Sequence, residues 1–441
     1  MTSPRLPQTP RMRRVPPNKS ATLSVIDIGT NKIICVIAEL EPLPRGESMR
    51  GRTHLCRVIG VGHQRSLGVK GGVIVDLESA ERALRHAIDA AERMAKVEVH
   101  SAIVNLSGGR LGSARYAGDT PLGGRPIAPI DVDRAVTAAA VNVAHPQRSL
   151  MHALPTAFAV DGASGVQDPT GMVGSKLSCE LHVVSSDLTA ARNLMLAVER
   201  CHVEVEAVVA TPYASGLSSL IDDEADIGAI VIDMGAGTTT FSVFERGRLA
   251  HVDGVAVGGH HVTMDVARGL STRLSDAERV KTLFGSVMSA LSDERDLISI
   301  PQVDEGDRDL DAQIPRAQLT RIIRPRIEEI LELVRDRLRG AGHAARAGRR
   351  IVLTGGASQL TGLSELARKI LDNQVRVGRP LGVKGLPEAA KGPAFSTVVG
   401  LMVYPQVADI DRIDLRSGGL LRPTGSDGAI SRFARWLKES F

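Results

Sequence analysis

The sequence predicts an α/β fold of two duplicated lobes carrying a third, inserted unit, and three observations predict it. The segment VIDIGTNKIICVIAE (Val25–Glu39) recurs without gaps as VIDMGAGTTTFSVFE (Val231–Glu245), matching Asp27 to Asp233, Gly29 to Gly235 and Glu39 to Glu245. A further apolar strand signal, Ile351–Thr354, runs straight into Gly355 and Gly356. Between the two copies, Ala102–Val183 is richer in glycine and short apolar runs and reads as a small α/β insert. One recurrence at so long an interval marks duplicated domains facing each other, not a solenoid of short repeats.

Composition sets the outer bounds. The 441 residues suggest roughly two to four domains. Apolar residues make up 43% and charged residues 24%, globular values that exclude a disordered, collagen-like or disulfide-scaffold chain. One tryptophan, three tyrosines and seven phenylalanines argue against a base-stacking nucleic-acid platform. A formal net charge of +4 is too slight to identify a polyanion binder. Cys35, Cys56, Cys179 and Cys201 form no C-x-x-C pair, so neither a zinc site nor a disulfide framework is indicated, and a reduced cytoplasm is the simplest home. No apolar core follows the N-terminal arginines, which speaks against a secretory signal. Gly392–Ala408 is interrupted by Gly400 and Pro405, falls short of the ~20 apolar residues of a spanning helix and reads as a buried one.

Residues 1–20 hold five prolines and the bases Arg5, Arg11, Arg13, Arg14 and Lys19, with no acid before Asp27. They read as a disordered basic arm, with an organelle transit peptide as the alternative. Leu23–Ile28 and Ile33–Leu40 are strands around the turn Gly29-Thr30-Asn31-Lys32. Leu77–Val97 has helical spacing, Leu188–Arg200 is helical and Val203–Val209 is a strand. Ile230–Met234 and Thr239–Phe244 are strands around the second turn, Gly235-Ala236-Gly237-Thr238. Asp276–Phe284 is a polar helix start, and the acidic Ser292–Pro315 is expected to be a loop. Gln318–Leu338 is a long amphipathic helix with Ile322, Ile323, Ile327, Ile330, Leu331, Val334 and Leu338 on one stripe; Pro325 either kinks it or marks its start. A helix is expected to follow Gly355-Gly356 and continue through Leu363 and Leu366, and from Asp409 the periodicity gives way to a linker.

A nucleoside triphosphate needs many donors close to its oxygens and a metal to balance its charge. Glycine turns supply the donors, because backbone amides approach where no Cβ intrudes. An aspartate at each strand end can hold hydrated Mg²⁺, which prefers oxygen ligands and keeps several waters. Two such hairpins would pinch the phosphates between them. Asp27 and Asp233 are then the metal-side carboxylates; Gly29, Thr30, Asn31, Gly235, Gly237 and Thr238 touch phosphate, and Lys32 is a candidate point charge. The bland alternative for either hairpin is an ordinary turn that needs glycine for its backbone angle.

Strand, Gly355-Gly356-Ala357 and helix offer a wall free of side chains for adenine and ribose. In this order, after two aspartate hairpins, the set resembles the phosphate-1, phosphate-2 and adenosine segments of the actin-like ATPase superfamily, over roughly Leu23–Tyr404. The resemblance implies a duplicated, ribonuclease H-like, two-lobed fold that binds ATP and Mg²⁺. Gly258–Ala267, Ser275–Lys281 and Ala197–Cys201 further resemble G-(G/N)-x-x-(V/I)-T-x-D-(I/V)-A, S-x-A-E-x-(I/V)-K and A-V-E-R-C segments of the FtsA family of bacterial cell-division proteins. That resemblance adds Gly258, Gly259, Glu278 and Lys281 as nucleotide contacts, and makes Ala102–Val183 an FtsA-type insert. Many members of the superfamily position the attacking water with Glu or Gln where this chain has Thr211, a poor base, so firm binding with slow or absent hydrolysis is expected and no catalytic residue is assigned. The pair His260-His261 invites a metal, but adjacent side chains diverge, which favours the bland reading.

At the C-terminus, Ile430, Phe433, Ala434, Leu437 and Phe441 share a helical stripe with Trp436 beside it, while Arg432, Arg435 and Lys438 lie on opposite or flanking faces. A basic polar face, an apolar face and an interfacial Trp describe a helix lying in a membrane surface, docking on the body or a partner being the alternative. One such tail is a modest, reversible anchor that a polymer would multiply. The family resemblance implies self-association into filaments, binding of the C-terminal peptide of FtsZ, recruitment of downstream division proteins, anionic lipid contact and a place on the cytoplasmic face of the inner membrane. Arg324–Ile330 resembles the family's E-P-R-x-x-E-(L/I), with Arg326 as the candidate contact to an acidic peptide. The expected plan is an arm at 1–20, a first lobe at 21–101 and 184–220 with part of 380–405, and the insert at 102–183. A second lobe with the partner-binding subdomain follows at 221–379, then a linker at 406–428 and the amphipathic helix at 429–441. A small-molecule kinase and a pilus-assembly-type actin homologue are the rival readings.

Overall fold

In the computed structural model, which describes residues 8–10, 12, 14–43, 52–141, 143, 147–301, 311–343 and 349–407, two sheets of one topology face each other across a pair of helices. The first has the strand order Glu204–Ala210, Ser101–Leu106, Ala21–Ile28, Lys32–Pro42, His54–Arg65, Val383–Lys384. The second runs Gln374–Val377, Arg350–Thr354, Ala229–Met234, Thr239–Glu245, Arg248–Val255. In each, the strand of the repeat pairs antiparallel with its hairpin partner on one side and parallel with a later strand on the other. The two hairpins also share their register: Asp27 lies opposite Ile34 and Asp233 opposite Thr240. The central strands are buried on both faces, Ala229–Met234 along its whole length, which is why they read as continuous apolar runs.

The helices Thr211–Ser219 and Ser396–Val407 lie between the sheets. Val398, Val399, Leu401 and Met402 join one core with Tyr213 and Ala214, and that core takes in Val231 and Val352 of the second sheet. Their approach is close because Gly400 has no side chain: a Cβ there would overlap the Ala214 carbonyl. Leu77–Ala95 is started by Asp76, whose carboxylate accepts from the Ser79 N–H at 3.2 Å, and it packs over Gly60 and Gly62 of the neighbouring strand. In the second lobe Arg316–Gly340 buries Ile323, Ile327, Ile330, Leu331, Val334 and Leu338 and runs through Pro325, so the proline neither starts nor ends it.

Several expectations are corrected. Ser101–Leu106 belongs to the first sheet, beside Ala21–Ile28, and not to the insert; the insert's own sheet runs Gly112–Pro121, Lys176–Asp187, Arg148–Val160, Ala163–Val166. The acidic loop contains a 3₁₀ turn, Leu291–Glu294, and an antiparallel pair, Leu297–Pro301 with Asp311–Pro315. Ile298 and Ile300 alternate into the second core there, a strand signal masked by surrounding acids. No single helix follows Gly355: a 3₁₀ turn, Gly356–Gln359, precedes Leu363–Leu371, and Gly362 interrupts at φ +79°. The basic arm is not free where it is described; Thr9 is buried and Val15 donates its N–H to Pro405 O at 3.0 Å. The linker expected from 406 begins inside the Ser396–Val407 helix, with Gln406 buried. The amphipathic helix at 429–441 lies outside the described residues.

The insert meets the second lobe edge to edge through side chains. Ser113 Oγ donates to Val252 O at 3.0 Å and accepts from Val252 N–H at 2.8 Å, and Arg115 donates to Ala250 O at 3.2 Å. Beside this seam a cavity of about 350 Å³ is lined by His182, His251, His343, Arg115 and Glu245. Burial and the neighbouring histidines and Arg115 depress His182 to about 3, and His251 is held down to about 4 by burial, His343 and Arg115. Both ordinarily titrate near 6.5. Below that pH the unfolded chain takes up protons that the folded chain refuses, so stability falls as pH drops from about 6.5 toward 4, by roughly 1.4 kcal/mol per pH unit for each histidine. Hydrogen exchange of Gly112–Pro121 at pH 7 and pH 5 is expected to show the loss. His182→Phe should flatten it, and an unchanged slope in that variant would refute the assignment.

Candidate functional site

Both hairpin turns close in the same way, and this brings the aspartates together. Gly29 N–H donates to Lys32 O at 3.0 Å, and Gly235 N–H donates to Thr238 O at 2.9 Å. The turns meet at their tips: a Cβ on Gly237 would collide with Thr30. The Thr30 hydroxyl in turn accepts from Gly72 N–H at 3.2 Å. Asp27 and Asp233, each one residue from the end of its strand, line one cavity of about 540 Å³, and Gly355 and Gly356 line it too. Gly355 has φ +83°, and a Cβ there would strike the Asp233 carboxylate and stand 2.6 Å from Met234 O. Only glycine lets the third strand's turn come so near the second aspartate.

The two carboxylates sit in different supports. Asp27 accepts from the Asn105 amide at 2.8 Å; that amide also donates to Thr211 Oγ1 at 3.0 Å, while Asn105 Oδ1 accepts from Ile28 N–H at 2.7 Å. Asp233 accepts from Ser215, and from Thr397 at 3.0 Å. Burial pushes Asp27 up to about 6, with Asp233 adding to the rise and Lys32 and Asn105 opposing it. Burial also raises Asp233, against the hydroxyls of Ser215 and Thr397 and the charge of Lys32. Two buried acids that resist ionisation form a place where a divalent cation is favoured.

Every other sequence-predicted contact in the turns lines this cavity: Gly29, Thr30, Asn31, Lys32, Gly235, Gly237 and Thr238. Lys32 is partly committed, since its ammonium donates to Ala394 O at 2.6 Å and lies 4.0 Å from the Phe395 ring centroid. The same cavity is also lined by Gly259, Glu278, Lys281, Gly356 and Ala357. Lys281 is nearly buried and donates to Gly259 O at 3.1 Å, Thr263 Oγ1 at 2.8 Å and Glu278 at 2.7 Å. Gly258 stands behind the lining rather than in it; a Cβ there would meet the Ala236 carbonyl at 2.8 Å, so it packs the helix start onto the second turn.

The remaining residues singled out in the sequence lie differently. Arg326 lies away from this cavity and pairs with Asp265 at 2.6 Å and with Glu329, carboxylates that an acidic peptide would have to compete with. His260 lines the cavity while His261 turns back to accept from Gly258 N–H at 3.1 Å; among the described residues no cluster of three metal-ligating side chains occurs. The residues missed are Asn105, Ser215 and Thr397. Asn105 left a signal, a lone amide in the apolar run Ala102–Leu106; the other two left none. A larger cavity, about 710 Å³ between the insert and the second lobe, shares Ser107 and Thr238 with the first but is lined by neither Asp27 nor Asp233.

The cavity thus combines two glycine turns, a pair of buried acids and the glycine bend that ends the third strand. Known proteins resemble this chain in sequence and in fold. The family model described as Cell division protein FtsA matches residues 230–400, and that described as SHS2 domain inserted in FTSA matches 108–185. Cell division protein FtsA of Agrobacterium fabrum is 53% identical over 433 residues, covering 98% of each chain. Among solved structures, the PilM–PilN type IV pilus biogenesis complex aligns with a TM-score of 0.59 and 16% identity, over 87% of this chain and 98% of that one. MreB5 of Spiroplasma citri bound to ADP aligns with a TM-score of 0.50 and 15% identity, over 88% and 97%. These two likenesses show a shared actin-like fold.

Proposed function

The chain belongs to the FtsA family of cell-division proteins, and on that premise we infer that it binds Mg-ATP in the cleft between its lobes, self-associates, and tethers the FtsZ ring to the cytoplasmic membrane. The observation that carries the reading is the convergence of Asp27, Asp233 and Gly355 on one cavity from three separate strand ends. Asp27 and Asp233 would hold the hydrated Mg²⁺, which supplies charge neutralisation for the phosphates. The amides of the two turns would take the phosphate oxygens. Glu278 would accept from the ribose, and Gly355, Gly356 and Ala357 would receive the adenine face.

Hydrolysis is proposed to be slow or absent. Thr211 stands in the cleft with its hydroxyl held by Asn105, and a hydroxyl is a weak base for water. The membrane contact is assigned to 429–441, with Ile430, Phe433, Trp436, Leu437 and Phe441 in the lipid and Arg432, Arg435 and Lys438 at the headgroups. No helix among the described residues is long and apolar enough to cross a bilayer, which fits a peripheral attachment. The FtsZ C-terminal peptide and later division proteins are the partners that family membership favours.

Equilibrium binding of a fluorescent ATP analogue, with Mg²⁺ or with EDTA, tests the reading. Wild type should bind in Mg²⁺, and Asp27→Asn or Asp233→Asn should weaken binding about a hundredfold. Equal affinity in both variants would remove the metal-side role. Phosphate release at a rate typical of kinases would refute slow hydrolysis.

A further inference from the structure

Lys32 is engaged with the protein itself. Its ammonium donates to Ala394 O at 2.6 Å and sits 4.0 Å from the centroid of the Phe395 ring. Both partners belong to a short 3₁₀ turn, Pro393–Phe395, that runs directly into the Ser396–Val407 helix between the sheets. The third strand and the second hairpin hold the same segment. Pro393 O accepts from Gly355 N–H at 3.2 Å and from Thr354 Oγ1 at 3.2 Å, and Thr354 also donates to Ser396 Oγ at 2.6 Å. Thr397 and Ser215 both donate to Oδ2 of Asp233. The second lobe therefore holds this segment by several hydrogen bonds, while the first hairpin holds it through Lys32. Phe395 packs on the core shared by the first sheet and the interlobe helices. Lys32, Ala394, Asp27 and Asp233 all line one cavity, and both acids attract the ammonium.

We propose that the Pro393–Phe395 turn is a phosphate sensor: the phosphates of a bound Mg-nucleotide take Lys32 from Ala394 and Phe395, and so loosen the first hairpin's hold on the interlobe helix. The inference rests on the Mg-ATP reading given above and adds to it a route from the ligand to the frame of the molecule. Three effects favour the phosphate in this competition. A lysine ammonium is a compact charge on a flexible stem, so it can turn within the cavity without backbone movement. Its hydrogen bond to a phosphate oxygen joins two charges, whereas Ala394 offers a neutral carbonyl, and charge on both partners strengthens the bond. A divalent cation at Asp27 and Asp233 cancels the attraction of these acids for the ammonium and repels it. The bonds from Thr354 and Gly355 to Pro393 O remain, which leaves the turn tied to the second lobe. The helix that begins here meets Thr211–Ser219 backbone to backbone at Gly400, so a shift at its start reaches the helix that carries Thr211 and Ser215. A ligand biases such an equilibrium only through contacts that differ between the two states, and Lys32 supplies that contact.

The test is hydrogen exchange of the full chain with Mg²⁺ and a non-hydrolysable ATP analogue. The Phe395 and Ser396 amides close the turn onto Gly392 O and Pro393 O. They should exchange about fivefold faster with the analogue bound than without it. Lys32→Met keeps the stem and removes the charge; its turn should exchange at the faster rate with no nucleotide present, and should not respond to the analogue. Phe395→Leu tests the same competition without touching the lysine, because it keeps an apolar side chain and deletes the ring that attracts the ammonium. This variant should bind the analogue about two- to fivefold more tightly than wild type, a gain that lost packing does not produce. Equal exchange in wild type with and without bound analogue overturns the sensor and leaves the Mg-ATP reading standing. Equal or weaker affinity in Phe395→Leu does the same. Failure of wild type to bind the analogue at all removes the Mg-ATP reading, and the sensor with it.

Discussion

Gly355→Ala is expected to weaken Mg-nucleotide binding by about 10- to 100-fold and to destabilise the second lobe as well. The added methyl group has nowhere to go: it would strike the Asp233 carboxylate and crowd Met234 O at 2.6 Å and Met234 N at 2.7 Å. The residue also sits at φ +83°, where a side chain costs about 1–2 kcal/mol before any clash. Relief requires Asp233 to turn away from Ser215 and Thr397, which spoils the place where the metal should sit. Gly356→Ala is the control. A Cβ there meets nothing nearer than Ala394 Cβ at 3.9 Å, so its melting temperature should stay close to wild type. Thermal melts of both variants with EDTA, alongside nucleotide titrations with Mg²⁺, check the pair; equal melting temperatures would show that the tight approach of Gly355 does not matter.

Gly400→Val should be the most damaging single change to stability. The Ser396–Val407 and Thr211–Ser219 helices touch backbone to backbone at this point, and even a Cβ overlaps the Ala214 carbonyl. A carbonyl in a helix cannot swing aside, so the helices must separate. Separation opens the core that joins Val398, Val399 and Tyr404 to Val231 and Val352. Overpacking of this kind normally costs 1–3 kcal/mol; with the main chain as the obstacle, about 4 kcal/mol or more is expected. Urea unfolding of the full chain measures it. The same helices carry Ser215 and Thr397, the partners of Asp233, so nucleotide binding should fail along with stability. A variant that melts like wild type would show that the helices are held apart by something else.

The hairpins were legible in sequence because their information is local. A turn closed by an N–H three residues from its acceptor is set by the few residues inside it, and the apolar runs on either side mark the two strands it joins. The ribbon at Leu297–Pro301 is hidden for the converse reason: its two buried isoleucines stand in a sequence crowded with acids, and pattern reading weighs composition over a short window. Sequence alone assigns Ala102–Leu106 to the insert, because strand order is not written in any one segment. Its parallel pairing with Ala21–Ile28 depends on the intervening helix Leu77–Ala95 crossing over the sheet. Arg326 marks another limit of local sequence. A guanidinium on an amphipathic helix pairs equally well with an outside carboxylate or with Asp265, and only the packing of the two helices decides.

What the sequence alone determined is the chemistry on offer: two acid-bearing glycine turns in a shared register, and a diglycine bend after a buried strand. Tertiary structure decided which groups complete the site. Asn105 reaches Asp27 across a separation of 78 residues, and Thr397 reaches Asp233 across 164. Such partners are chosen by the packing of sheets and helices against one another, and the free energy of that packing comes from burial spread over the whole core rather than from the residues that end up in contact.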